Sequence, residues 1–105
     1  MLSKKLSGES HNVFFDPSNT PNGNITFGHI VFHPGERRPQ EGVTAHADDE
    51  YSFVISGEAQ CEVCGEMCVS SAGEAMFIPA GASHYTHNTS DKPFEVIYAL
   101  VKRPG

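Results

Sequence analysis

The stretch VTAHADDE, residues 43–50, sets an imidazole at His46 and a carboxylate at Glu50, with Asp48 and Asp49 between them. These residue types are the raw material of a divalent-metal site, because imidazole nitrogens and carboxylate oxygens suit borderline cations. Two readings are open: half of a site whose other half lies elsewhere, or a solvated histidine beside an acidic turn. The run from Val43 to Ser56 is the longest without Gly or Pro. Its second half alternates Tyr51, Phe53 and Ile55 with Ser52, Val54 and Ser56, the period of two that marks a strand. Asp48 and Asp49 are expected as a turn with Glu50 opening the strand, an arrangement that brings His46 and Glu50 together.

A second cluster of metal-ligand types is Cys61, Cys64 and Cys68 in AQCEVCGEMCVS. Cys64-Gly65 suits a two-residue hairpin loop. Val63 would then face Glu66, Glu62 face Met67 and Cys61 face Cys68, leaving Cys64 out at the turn. That is poor geometry for three ligands on one ion, so these cysteines are expected as reduced thiols. Their odd number also argues against a disulfide framework.

The elements that must hold such a site are strands. Ten glycines and seven prolines interrupt a chain of 105 residues too often for much helix. NITFGHIVF, EYSFVIS and FEVIYALV read as strands, separated by DPSNTPNGN, HPGERRPQEG, SAGE, PAGAS and NTSDKP as turns and loops. This pattern predicts an all-β sandwich or barrel. The length fits one domain over residues 1–105, with residues 1–10 a loose N-terminal segment. A net charge of −6 disfavours binding to phosphate backbones, so nucleic acid is not an expected partner. No run approaches the ~18 apolar residues of a membrane span, and the opening residues lack the apolar block of a secretory signal. The expectation is a soluble, cytoplasmic protein without a membrane partner.

One further stretch supplies the missing half. In GEAMFIPAGASHYTHN, the positions Gly73, Pro79, Gly81, His84 and Asn88 fall at the spacing of the second cupin signature. Upstream, His46, Glu50 and Gly57 match the later part of the first signature. Thr44 stands where its first histidine would be, and the glycine that opens that signature is displaced, with only Gly35 and Gly42 nearby. The chain therefore resembles a small cupin over roughly residues 25–101. The resemblance implies a double-stranded β-helix, the jelly-roll barrel of cupins, with a divalent transition metal (Fe, Mn, Ni or Zn) held by His46, Glu50 and His84. The residue chemistry agrees, since two imidazoles and a carboxylate leave coordination positions open for water or a substrate. Thr44 is a poor ligand, although its hydroxyl could order a metal-bound water. Gln40 and Asp48 are the reserve candidates to complete the ligand set.

Other residues receive plainer readings. His87 lies three positions past His84 and is expected on the opposite face of its strand. His29 and His33 could line the pocket or face out. Arg37 and Arg38 carry a donor fork suited to carboxylates, but read as solvated charges in a loop. Tyr85 and Tyr98 read as packing residues. The expected activity is that of a metal-dependent enzyme acting on a small polar organic molecule, of oxygenase, isomerase or decarboxylase type. The competing expectation is a non-catalytic barrel that captures a sugar or organic acid. By resemblance to the family, and because a small β-domain has unpaired sheet edges, a homodimer is expected.

Overall fold

A computed structural model describes residues 1–104. Among them there are nine strands and no helix: β1 (His11–Phe15), β2 (Ile25–Phe32), β3 (Arg37–Arg38), β4 (Asp48–Ser56), β5 (Glu58–Val63), β6 (Glu66–Ser71), β7 (Ala75–Ile78), β8 (His84–His87) and β9 (Phe94–Lys102). They form a five-stranded sheet, β1-β2-β9-β4-β7, and a four-stranded sheet, β3-β8-β5-β6, with every strand pair antiparallel. This is the predicted jelly-roll β-barrel. No helix is long and apolar enough to cross a membrane.

Strand β9 shows how alternation builds the interior. Phe94 and Val96 point inward and are almost fully buried, packing with Phe32, Val54 and Ala59 as the core. Two steps further along the same face, Tyr98 and Leu100 line a cavity of about 330 Å³. One strand therefore runs from a packed apolar end to an open functional end. On β4 the same period sends Val54 to the core and Glu50 to the cavity.

The β5–β6 hairpin has the predicted register, with Cys61 opposite Cys68, Glu62 opposite Met67 and Val63 opposite Glu66. Cys64 and Gly65 both take positive φ, 50° and 82°, as a two-residue hairpin loop demands. All three cysteines are free.

The acidic pair at 48–49 differs from expectation. Asp48 and Asp49 are not a turn. They already belong to β4, paired with Lys102 and Val101 of β9. Cross-strand pairing outweighs their turn preference, and the Asp49 carboxylate accepts hydrogen bonds from the Ala80 amide and the Arg103 guanidinium, both at 2.8 Å. Strand β1 was not anticipated. Residues 1–10 hold neither strand nor helix.

Candidate metal centre

Three ligand-bearing segments converge at the cavity end of the barrel. Glu50 comes from β4, His84 from the start of β8, and His46 from the irregular segment before β4. Backbone bonds fix the last of these. Thr44 bridges to His84 through a reciprocal pair at 2.9 and 2.8 Å, and the Gly81 amide donates to the His46 carbonyl at 2.7 Å. Gly81 has φ of +84°, a conformation that glycine adopts without strain, so the Pro79–Gly81 turn both stitches down the His46 segment and launches β8.

Each of the three side chains offers a ligand atom, and these atoms all lie within 4.8 Å of one another. Donors about 2.1 Å from a shared ion are at most about 4.2 Å apart, so side-chain adjustments of well under about 1 Å would close the set. The His46 and His84 rings stand 4.9 Å apart, tilted by 50°, neither stacked nor hydrogen-bonded to each other. His84 is buried, and its Nδ1–H donates to the Ala82 carbonyl at 2.9 Å. That bond fixes the tautomer and leaves Nε2 as a free lone pair, the state a ligand histidine requires. No protein group hydrogen-bonds the Glu50 carboxylate or the His46 ring nitrogens among the described residues. The donor set thus fits a borderline divalent ion.

Thr44 lines the same cavity beside His84. The position that departs from the first signature therefore does face the site. Gln40 and Asp48, the reserve candidates, line neither the cavity nor the cluster. Gln40 is exposed on its loop, and Asp48 is the first residue of β4, two before Glu50, opposite Lys102. His87 faces away from His84, opposite Arg37, as alternation requires. His29 is on the outer face of the larger sheet, buried beside Phe14, with Nε2 on the Glu95 carboxylate at 2.5 Å. His33 is exposed beyond the end of β2.

The cavity also holds polar residues that sequence reasoning assigned elsewhere or passed over. Tyr98 is no simple packing residue, because its hydroxyl is 2.6 Å from His11 Nε2. Gly28 makes this possible. A Cβ at that position would lie 2.5 Å from the Tyr98 hydroxyl, so only glycine lets the phenol cross β2 to reach β1. Burial and the Glu50 carboxylate push the Tyr98 phenol above its ordinary pKa, with Arg38 opposing. Burial, then the charges of Arg38 and His29, push His11 below the usual histidine value. Arg38 is also a cavity residue, while Arg37 turns outward with its guanidinium 3.9 Å from the Tyr85 ring centre. The loop reading thus holds for neither arginine: both belong to the short strand β3, paired with β8.

A family model described as "Cupin domain" matches residues 28–100. This chain belongs to the cupin family. An uncharacterized Streptomyces coelicolor protein is 39% identical over 46 residues, which cover 44% of this cupin and 44% of that relative, so the match spans less than half the relative's length. Among solved structures, a cupin protein from Bacteroides fragilis superposes with a TM-score of 0.81 at 16% identity, covering 99% of this chain and 86% of that one. A Cupin 2 conserved barrel domain protein from Salinispora arenicola gives 0.77 at 18% identity, with 97% and 89% covered. At such identities these likenesses speak for the fold alone.

Proposed function

We propose that this cupin binds a divalent transition metal through His46, Glu50 and His84 and acts as a metal-dependent enzyme on a small polar organic molecule. The observation that carries the reading is the His84 tautomer. A buried imidazole is held by Ala82 through Nδ1, and His84 offers a ligand atom within 4.8 Å of those of a second imidazole and a carboxylate. Bound there, the ion would supply Lewis-acid polarisation of a ligand oxygen, or redox chemistry if it is iron. The protein's own part is to hold the ion with three side chains and to leave room beside it for a small molecule. Oxygenase, isomerase and decarboxylase chemistry all suit that arrangement. The test is metal content: untagged protein, reconstituted with Fe, Mn, Ni or Zn ions and dialysed, should retain close to one ion per chain by elemental analysis. A ratio near zero for every ion would reject the site.

The second reading, a non-catalytic barrel that captures a ligand without turnover, is favoured by one observation. Thr44 supplies no strong ligand at a cavity position where the family's first signature has a histidine. Replacing it separates the cases. Thr44→His should slow loss of the ion to a chelator by about 10-fold or more if position 44 faces the ion. Unchanged retention would show that it does not. Saturable ligand binding with no product, aerobically or anaerobically, would favour capture.

The proposed setting is the cytoplasm, and the proposed assembly is a homodimer. The outer face of the larger sheet displays Tyr51, Phe53, Ile55 and Phe77, each about half exposed. Tyr51 and Phe77 are paired across β4 and β7, with rings 5.0 Å apart. A two-fold partner would cover this face with the same apolar side chains, leaving no charge buried at its centre. Phe53→Glu should convert the dimer to monomer in sedimentation or light scattering; a wild-type monomer at tens of micromolar would refute the assembly.

A further inference from the structure

The cavity is lined by His46, Glu50 and His84, by Arg38, Tyr98 and His11, and by the apolar side chains of Ile30, Phe32 and Leu100. Tyr98 is a diagonal neighbour of Glu50 across β4 and β9, and its hydroxyl meets His11. The group around Arg38 is held by its own hydrogen bonds. Arg38 Nε donates to the Glu36 carboxylate at 2.8 Å, and that carboxylate is itself held by the His33 amide at 3.0 Å. The guanidinium lies 5.6 Å from the Phe32 ring centre. Its two Nη groups make no hydrogen bond to any described residue, so a forked pair of donors stays free. Beside it, the Tyr98 hydroxyl is steered by His11, and Gly28 is the vacancy that admits the phenol.

We propose that Arg38, with Tyr98 beside it, is the anion-recognising group of this cavity, and that the ligand is a small carboxylic acid with an apolar body. The carboxylate takes the free edge of the guanidinium, which matches its two oxygens in a planar fork, and Tyr98 contributes a further hydroxyl contact. The apolar body packs on Ile30, Phe32 and Leu100 of the same cavity. His11 is a positioning residue, acting on the ligand only through Tyr98.

Two features favour an acid over a sugar. The lining contains no asparagine, glutamine or aspartate to pair with an array of hydroxyls, and most of its remaining surface is hydrocarbon. The charge balance agrees. Arg38 is the one arginine or lysine of the lining, in a chain whose net charge is −6. Glu36 and Glu50 together outweigh it by one unit, and a divalent ion at the cluster would reverse the sign, leaving one positive charge for a monoanion to neutralise.

The proposal deepens the metal-dependent reading, but Arg38 is charged with or without an ion, so the two can fail separately. Calorimetric titration with benzoate and hexanoate, each against its neutral amide, would be run on metal-free and cobalt(II)-loaded protein. Wild-type protein should bind the acids about 10-fold or more tightly than the amides. Arg38→Ala should bring acid affinity down to amide affinity, Arg38→Lys should restore part of it, and Tyr98→Phe should weaken the acids several-fold. Cobalt(II) absorption should be the same in Arg38→Ala as in wild type. Acids and amides binding alike, an unaffected Arg38→Ala variant, or no binding of any probe up to about 10 mM would overturn the proposal. Failure of cobalt(II) to bind, with acid selectivity intact, would instead remove the metal reading and leave the anion site standing.

Discussion

His84→Ala should give a folded protein that no longer retains a divalent ion. The substitution deletes one of three donors, and Thr44 supplies no strong replacement, so His46 and Glu50 would be left to hold the ion alone. Loss of a partner one step removed from a metal already costs roughly 10–100-fold in affinity. Loss of a ligand should exceed the upper end of that range, about 100-fold, and bring the ion content after dialysis close to zero. The fold should survive, because strand β8 is held by backbone pairing to β5 and by the Thr44 bridge, neither of which needs the imidazole. His87→Ala is the matched control. It lies on the same short strand but faces away from the cavity, so its ion content should equal that of wild type. Equal retention in the two variants would show that β8 contributes no ligand.

The parts of this molecule that were legible in the sequence are those decided by local pattern. Period-two alternation marked β2 and β4, a β-branched and aromatic run marked β9, and Cys64-Gly65 fixed the register of the β5–β6 hairpin, because a two-residue loop leaves no freedom in the pairing that follows. The cluster of His46, Glu50 and His84 was legible because the three residues fall at the spacing of the cupin signatures, although the turn expected between His46 and Glu50 is strand. What escaped depends on contacts distant in sequence. HNVFF is only five residues long, and β1 exists because it pairs with the edge of β2. Tyr98 lies in a run of inward-facing apolar residues and looks like one of them; its role appears only when Gly28 is seen opposite it and His11 one strand beyond. Arg38 belongs to a strand of two residues created by β8, flanked by loop-forming Gly and Pro. Asp48 and Asp49 read as a turn from their intrinsic preference, which pairing with the end of β9 overrides. The same division separates the two polar groups of the cavity. One was written in motif spacing, and the other was assembled from strands far apart in the chain.

Asn88, the last position of the second signature, is a residue type that can meet a metal or a substrate, yet here its work is structural. It is fully buried, and all its hydrogen-bonding capacity is spent on the protein. Its amide Nδ2 donates to the carbonyls of Phe32 at 3.0 Å and Lys92 at 2.7 Å, while Oδ1 accepts from the Ser90 amide at 3.0 Å and hydroxyl at 2.7 Å. One side chain therefore joins the end of β2 to the loop that leads into β9. Asn88→Ala would leave the Phe32 carbonyl and the Ser90 amide without these partners, leave the Lys92 carbonyl only the Ser90 hydroxyl at 3.0 Å, and open a void beneath them. Each buried unsatisfied group costs about 1–3 kcal/mol, so with partial relaxation the loss should be about 3–5 kcal/mol. That is a large share of the roughly 5–15 kcal/mol that holds a domain together. At about 4–8 °C per kcal/mol for a domain of this size, the melting temperature should fall by about 15 °C or more. Asn88→Asp should do little better, since a carboxylate has no donor for either carbonyl and adds a buried charge. Ion content measured well below the lowered melting temperature should match wild type, because Asn88 lies outside the cluster and outside the cavity lining. A fall of less than about 5 °C would mean that water replaces the amide at little cost. Loss of the ion from folded Asn88→Ala would mean that this loop and the metal centre are coupled through β8.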